Sequence, residues 1–251
     1  MISNIICPVF SINKAAGGSV FLTLKAPSVA KSVRPGQFVY IKPLGAKEPL
    51  LRRAFSVMDA DRLSGRVSLY VDVKGPGTEA LAALRKNDRV SLLGPLGTGF
   101  DPKFYRKTNV LIGGGCGSAP LFFLARDLKK RGKRVVFYYG ARTRSHLAFA
   151  ALLKSVCHRI IVITDDGSAG KKGLVTEHLN FTPEQGVFAC GPKPMLNAVA
   201  VLAPHAHVAV ETEMACGLGV CNGCAVAMKD GSYKRCCTEG PVFRAKDVAW
   251  I

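Results

Sequence analysis

Three cysteines near the C-terminus carry the strongest chemical signal in the sequence. Cys216, Cys221 and Cys224 stand in a C-x4-C-x2-C spacing, and Cys236 and Cys237 follow as an adjacent pair. Three thiolates from one short loop, with a fourth arriving from further along the chain, is the plant-type arrangement for a [2Fe–2S] cluster. A loop that wraps a compact cluster needs unusual dihedrals and close approach, which Gly217, Gly219 and Gly223 supply. The same turns aim backbone N–H groups at sulfur and so tune the potential. Two other chemistries use the same residue type. Structural zinc takes two short Cys-x2–4-Cys pairs, whereas here a glycine-rich triple precedes an adjacent Cys-Cys. A disulfide staple is the third possibility. Cys7, Cys116, Cys157 and Cys190 are scattered, as small buried hydrophobes are. With four thiols consumed by the cluster motif, a reducing cytoplasm is the expected setting.

Three further stretches are suited to phosphate-bearing groups. Arg53-Ala54-Phe55-Ser56 opens a strand, where an arginine can neutralise a pyrophosphate while Phe55 and Ser56 alternate across the strand. Lys74-Gly75-Pro76-Gly77-Thr78 leads into a helical run, a context in which backbone N–H groups hold phosphate, although Gly-Pro-Gly is more often only a turn. Gly113-Gly114-Gly115-Cys116-Gly117-Ser118 follows an apolar strand and opens a helix, where a dinucleotide pyrophosphate meets a helix N-terminus. It departs from G-x-G-x-x-G by Ser118 in the last place. A second strand ends at Cys190-Gly191-Pro192, at the carboxyl edge where open α/β sheets bind ligands, so Cys190 either faces a nicotinamide or is a buried thiol.

The elements that position these groups change rhythm along the chain. In residues 1–101 short β runs stand at Val20–Ala26, Gln37–Pro43, Ala54–Ala60, Arg66–Val73 and Arg89–Gly94, separated by turn residues, with a short helix expected at Leu81–Lys86. That spacing suggests an antiparallel barrel. In residues 102–206 strands at Asn109–Gly115, Arg134–Ala141, Arg159–Asp166 and Val187–Gly191 alternate with helices at Ser118–Arg131, Ser145–Ser155 and after Pro192, the signature of a parallel α/β sheet. Residues 207–251 hold the cysteine loop. No run of about 18 apolar residues occurs, so no membrane span is expected. The N-terminus has no basic region and no long apolar core, so no signal peptide is expected. The formal charge of +18 raises nucleic acid as a partner, but Lys and Arg are dispersed and no nucleic-acid-binding motif is present. Solvated faces, phosphate-bearing cofactors or an acidic protein partner account for it better.

Taken in order, these pieces resemble the ferredoxin–NADP reductase superfamily, over nearly the whole chain. Arg53–Ser56 matches its flavin motif, Gly77-Thr78 its flavin phosphate turn, Gly113–Pro120 its nucleotide loop and Cys190-Gly191-Pro192 its carboxyl-edge motif. MACGLGVCNGC with CCTEGPVF, together with PLLRRAFSV, GPLGTGF and TDDGS, is similar to the electron-transfer subunits of NAD-dependent, class 1B dihydroorotate dehydrogenases. The resemblance implies an antiparallel FAD-binding β-barrel, a nucleotide-binding parallel α/β domain and a small C-terminal [2Fe–2S] subdomain. It implies Cys237 as the fourth cluster ligand beside Cys216, Cys221 and Cys224. It implies FAD contacts at Arg53, Ala54, Phe55, Ser56, Leu69, Tyr70, Val71, Gly77 and Thr78. NAD contacts are implied at Gly113, Gly114, Gly115, Gly117, Arg142, Cys190, Gly191 and Pro192, with Cys190 near the nicotinamide. The partner implied is an FMN-containing catalytic subunit that oxidises dihydroorotate in pyrimidine biosynthesis, in a heterotetramer. Electrons pass through the cluster and FAD to NAD+. No pyrimidine site or base is visible in this chain. A sulfhydrogenase-like or ferredoxin:NADP oxidoreductase subunit has the same layout with another partner, and a zinc-bearing binding protein on a decayed reductase scaffold is the reading of another class.

The coenzyme divides residues from resemblance. No Asp or Glu stands in Gly140-Ala141-Arg142-Thr143-Arg144-Ser145, where a dinucleotide site holds an acid for the ribose 2′-OH. Arg142 and Arg144 are suited to a 2′-phosphate, which points to NADP. The resemblance points to NAD, and NAD is the expectation.

Overall fold

In the computed structural model, which describes residues 2–44 and 51–250, the first third of the chain rolls into a closed antiparallel barrel. Pro49 and Leu50 of the PLLRRAFSV run lie outside the described residues. The barrel elements are β1 (Ser3–Lys14), β2 (Val20–Lys25), α1 (Pro27–Ser32), β3 (Phe38–Pro43), β4 (Arg53–Asp61), β5 (Arg66–Val71), α2 (Pro76–Ala82) and β6 (Arg89–Leu96). The strand order is β1-β2-β5-β4-β3-β6, with β6 returning to β1. Period-2 alternation drives this closure. On β5, Val67, Leu69 and Val71 point inward and are fully buried with Leu22, Leu24, Ile41 and Leu92, while Tyr70 points out. The long β1 is absent from the sequence-based expectation. The helix expected at Leu81–Lys86 is corrected to Pro76–Ala82, overlapping the expectation only at Leu81 and Ala82. Proline suits the first helical turn, and the Thr78 hydroxyl accepts the Gly75 N–H at 3.1 Å.

The middle of the chain runs β7 (Thr108–Gly114), α3 (Ser118–Lys130), β8 (Arg134–Ala141), α4 (Ala150–Leu153), β9 (Arg159–Thr164), β10 (Lys171–Lys172), β11 (Gly186–Cys190), α5 (Lys193–Leu202) and β12 (His207–Ala209). These strands form a parallel sheet of order β10-β9-β8-β7-β11-β12. Strand order reverses between β7 and β11, and Gly113 pairs with Cys190 there. This is the switch point at which open α/β sheets open a ligand crevice. The helix expected over Ser145–Ser155 is corrected to a 3-10 turn at Arg144–His146 and the single turn of α4. Tyr139 causes the break. Its buried hydroxyl donates to the His146 carbonyl and accepts the Phe149 N–H, both at 3.3 Å, tying the segment to β8 instead of letting it coil.

The last segment contributes β13 (Ala225–Ala227), β14 (Tyr233–Arg235) and β15 (Val242–Arg244). β15 pairs antiparallel with β12, so this segment is welded to the α/β sheet. It also covers one outer face of the barrel: Phe38, Tyr40, Leu93 and Leu96 pack against Cys224, Val226, Cys237 and Phe243. Thr98 N–H donates to the Gly240 carbonyl at 2.6 Å and Val210 N–H to the Pro241 carbonyl at 2.9 Å. The GPLGTGF turn makes this contact possible. Gly97 has φ 70°, and a Cβ there would sit 2.7 Å from Pro241 and 2.9 Å from Phe38. On the opposite side, Arg126 of α3 pairs with Asp59 and donates to the Ala60 carbonyl at 2.6 Å. With both side chains about three-quarters buried, desolvation raises the Asp59 carboxyl more than Arg126 lowers it, so the pair fixes how barrel and sheet meet more than it adds net stability.

Candidate functional site

Two adjoining clefts lie between the barrel and the sheet. The larger, about 650 Å³, opens at the switch point and is lined by Gly114, Gly115, Cys116, Arg142, Asp165, Pro192 and Met195 among others. The smaller, about 240 Å³, is lined by Phe38, Ala54, Phe55, Ser56, Ala119, Val210, Glu211 and Thr212. Tyr70, Asp72, Lys74 and Cys116 line both, so the two clefts share a wall. A flavin ring and a nicotinamide must touch for hydride transfer, and this shared wall is the geometry that permits it.

The glycines of the nucleotide loop divide into packing and cleft-facing positions. A Cβ on Gly113 would lie 2.5 Å from Ser118 Oγ, and one on Gly117 2.4 Å from the Cys190 carbonyl oxygen. These two glycines permit close packing of α3 and β11 on β7. Gly115 instead has φ 53° with open space beyond its Cα, facing the larger cleft. Ser118, which breaks the expected glycine pattern, is fully buried, and its hydroxyl has no hydrogen-bond partner among the described residues.

The arginines and acids sort out differently from their sequence positions. Arg142 lines the larger cleft. Arg144 is engaged elsewhere: its N–H donates to Ser168 Oγ at 2.8 Å and its Nε to the Ser168 carbonyl at 2.9 Å. Asp165, at the end of β9 and within the TDDGS run, supplies an acid to the cleft that the scan of the Gly140–Ser145 stretch missed. Cys190 is 1% exposed and lines neither cleft, because β11 runs in mid-sheet and turns its thiol into the core. Burial pushes that thiol well above the usual range. The cysteine that reaches both clefts is Cys116.

On the flavin side, Ala54, Phe55 and Ser56 line the smaller cleft, while the Arg53 side chain is exposed and donates to the Leu51 carbonyl at 2.8 Å. Leu69 and Val71 are fully buried inside the barrel, so the strand they share with Tyr70 meets the cleft through Tyr70 alone. Thr78 Oγ1 accepts the N–H groups of Lys74 and Gly75 at 2.8 and 3.1 Å, which shapes the turn before α2. Glu211 is exposed at the rim of the smaller cleft, and desolvation by the protein beside it raises its carboxyl above the usual range, with Lys74 opposing.

Thr212 and Met214, which lead into the cysteine loop, line the smaller cleft, while Gly217, Leu218, Cys237 and Thr238 face a separate cleft of about 780 Å³. Gly217 and Gly219 have φ 69° and 78°. Gly223 does not, and the third left-handed residue is Asn222 at φ 57°. Gly223 instead gives its N–H to Cys221 Sγ at 3.5 Å, as Leu218 N–H gives to Cys216 Sγ at 3.4 Å and Cys237 N–H to Cys224 Sγ at 3.5 Å. The backbone N–H groups of Cys221 and Leu218 hold the Cys216 thiol down to about 6. Burial pushes Cys237 up to about 11. Cys216, Cys221, Cys224 and Cys237 all act electrostatically on one phenol, Tyr40. Cys236 turns the other way, donating its thiol to the Val210 carbonyl at 3.2 Å, and burial pushes it up to about 12. Arg235 clamps the loop from outside, donating to the Gly219 carbonyl at 3.0 Å and to Glu239 at 3.1 Å. Among the described residues no three His, Cys, Asp or Glu side chains close tightly on a single ion. Four cysteines on one loop and the strand end beside it, with N–H groups aimed at three of them, fit the sulfur-rich surroundings of an iron–sulfur cluster.

Comparison with known proteins bears on these sites. Residues 211–249 match the iron-sulfur cluster binding domain of dihydroorotate dehydrogenase B, and residues 111–200 match the oxidoreductase NAD-binding domain. A dihydroorotate dehydrogenase B (NAD(+)), electron transfer subunit homolog from Aquifex aeolicus is 38% identical, over 99% of each chain. The electron transfer subunit from Bacillus caldolyticus is 39% identical over 90% of this chain and 91% of its own. A chain of the NADH-dependent reduced ferredoxin-NADP oxidoreductase superposes with a TM-score of 0.85 at 29% identity, over 99% of this chain and 91% of that one.

Proposed function

The chain belongs to the family of dihydroorotate dehydrogenase B (NAD+) electron transfer subunits, and on that premise we propose that it takes electrons from an FMN-containing dihydroorotate dehydrogenase subunit and delivers them to NAD+, in pyrimidine biosynthesis. When bound, the [2Fe–2S] cluster carries electrons singly, nicotinamide accepts a hydride pair, and FAD does both. The observation that carries the proposal is contiguity. The cysteine loop, the smaller cleft and the larger cleft follow in that order, with Tyr40 and Phe38 packed between the first two and Tyr70, Asp72, Lys74 and Cys116 between the second two.

Within that proposal, residues 1–101 form the flavin domain, 102–206 the nucleotide domain and 207–251 the cluster subdomain. Cys216, Cys221, Cys224 and Cys237 hold the cluster, and Cys236 keeps its bond to Val210. Arg53–Ser56 and Gly77-Thr78 hold FAD, with Tyr70 walling it from the nucleotide. Gly113–Gly117 and the backbone of Cys190-Gly191-Pro192 seat NAD, and Arg142 and Asp165 flank the adenosine end. The exposed apolar side chains of Leu218 and Val220, 48% and 79% accessible on the cysteine loop, support a docking face for the catalytic subunit there. A heterotetramer with two copies of each subunit is taken from the family resemblance. No disulfide joins any of the nine cysteines, in keeping with the reducing, cytoplasmic setting we propose. Among the described residues no helix is long and apolar enough to cross a membrane.

Co-expression with the candidate catalytic subunit tests the proposal. The complex should form orotate with NAD+ as acceptor, and the isolated chain should reduce artificial acceptors with NADH but leave dihydroorotate untouched. Orotate formation by the isolated chain, or a purified complex that cannot use NAD+, would contradict it. The likeness to the ferredoxin-linked oxidoreductase supports a ferredoxin-type partner as the second reading, which a pull-down of the partner separates from the first.

A further inference from the structure

Tyr40 stands on β3 with its side chain outside the barrel core, packed with Cys224 and Cys237 under the cysteine loop. It is 2% exposed. Its hydroxyl is buried and has no hydrogen-bond partner among the described residues. The loop rides on the hydroxyl end of the ring: a Cβ on Gly217 would sit 2.6 Å from Cε2 and 3.0 Å from Cζ. Phenylalanine would fill the same space without burying an unpaired polar atom, and two residues earlier on the same strand face Phe38 does so. A buried O–H that lacks a partner and packs beside Cys224 and Cys237 under the cysteine loop implies an acceptor there.

Resting on the cluster reading above, we infer that the Tyr40 hydroxyl donates a hydrogen bond to a sulfur of the [2Fe–2S] centre and raises the potential at which that centre takes its electron. A donor to sulfur favours the reduced state, which carries one more negative charge. Tyr40 also pairs across the ladder with Ala54, which lines the flavin cleft, so the same residue fixes the distance between the loop and the flavin motif.

The test is a redox titration of the cluster-loaded protein followed by EPR, with Tyr40→Phe beside the unsubstituted chain. In the variant the midpoint should fall by an amount equivalent to about a tenfold weaker reduction equilibrium, roughly 59 mV for a one-electron couple. One exchangeable-proton coupling to the reduced cluster, read by pulsed ENDOR in H2O and D2O, should vanish with it. A second arm replaces all six tyrosines with 3-fluorotyrosine. The more acidic phenol should move the midpoint upward, and this arm decides the matter if Tyr40→Phe fails to retain its cluster. A midpoint unmoved in the variant, or unmoved by fluorotyrosine, overturns the inference. So does a midpoint that falls while the proton coupling persists, since repacking would then explain it. A chain that shows no [2Fe–2S] signal overturns the cluster reading itself, whereas a normal signal with an unmoved midpoint overturns only the hydrogen bond.

Discussion

The rings of Phe38 and Tyr40 lie 5.9 Å apart, centroid to centroid, on one face of β3. Phe38 lines the smaller cleft and Tyr40 packs with Cys224 and Cys237 under the cysteine loop. Two positions of one strand therefore bridge the smaller cleft and the cysteine loop. Strand pleat alone sets that spacing, because residues i and i+2 share a face. On the proposed assignment of flavin and cluster, the barrel is a ruler between the two.

The adjacent cysteines should behave oppositely. Cys237→Ser should lose the visible absorbance and EPR signal of the cluster. Cys236→Ser should keep both, because its side chain bonds to the Val210 carbonyl and not into the thiol pocket. Visible and EPR spectra of the two purified variants decide between them, and the reverse pattern would exchange their roles.

The joint between β12 and β15 should weaken in acid. Burial, and next Arg244, lower His207 from 6.5 to about 4, with Asp101 opposing and His205 and Lys103 reinforcing. The folded state therefore keeps this imidazole neutral while the unfolded chain binds a proton. The resulting stability is fully present above 6.5 and is lost as pH falls toward 4. His207→Phe, which preserves the stacking on Phe104 at 3.9 Å, should flatten the fall in denaturation midpoint across that window. An equally steep fall in the variant would remove His207 as the cause.

Local features were the legible part of this chain. Cysteine spacing, the glycine loop and the strand–helix alternation are short-range patterns, and they place the cluster loop, β7 and α3 directly. Features set by distant contacts were not. β1 was hidden by Pro8, which sits exposed in the strand opposite Arg89, and by outward Ile6 and Phe10, which blur the alternation. The break before α4 depends on a hydroxyl from β8. Asp165 enters the nucleotide cleft from β9, one strand beyond the acid that the classical fingerprint searches for. Burial of Cys190 and exposure of Cys116 to both clefts follow from sheet position, which no motif encodes. Tyr40 looks like an ordinary strand residue until the loop folds over it.

Coenzyme choice should follow Asp165. A carboxylate in the cleft accepts a ribose hydroxyl and repels a 2′-phosphate, while Arg144 is held by Ser168 and Arg142 faces the same cleft. The unsubstituted enzyme should favour NADH over NADPH by at least about tenfold in kcat/KM, roughly 1.4 kcal/mol. Asp165→Asn should narrow that ratio. A preference for NADPH, or a ratio unchanged in Asp165→Asn, would show that the arginines govern the site.

FAD retention should depend on the Arg53 charge. Its guanidinium is exposed and donates to the Leu51 carbonyl, and the next residue, Ala54, lines the smaller cleft. Losing a charge-assisted bond of about 1.5–3 kcal/mol should weaken FAD binding roughly ten- to hundredfold in Arg53→Ala, measured by equilibrium titration of the FAD-stripped chain. Unchanged affinity would remove Arg53 from the flavin site.

An electron relay within this chain is tested most directly by anaerobic titration of the cofactor-loaded protein with NADH, followed by absorbance and low-temperature EPR together. Bleaching of the flavin accompanied by a one-electron [2Fe–2S] signal, with the signal but not the bleaching lost in Cys237→Ser, is the result that a continuous path from nicotinamide to cluster produces. A flavin that bleaches while an intact cluster stays oxidised, or a cysteine loop that holds zinc and gives no signal, would contradict it.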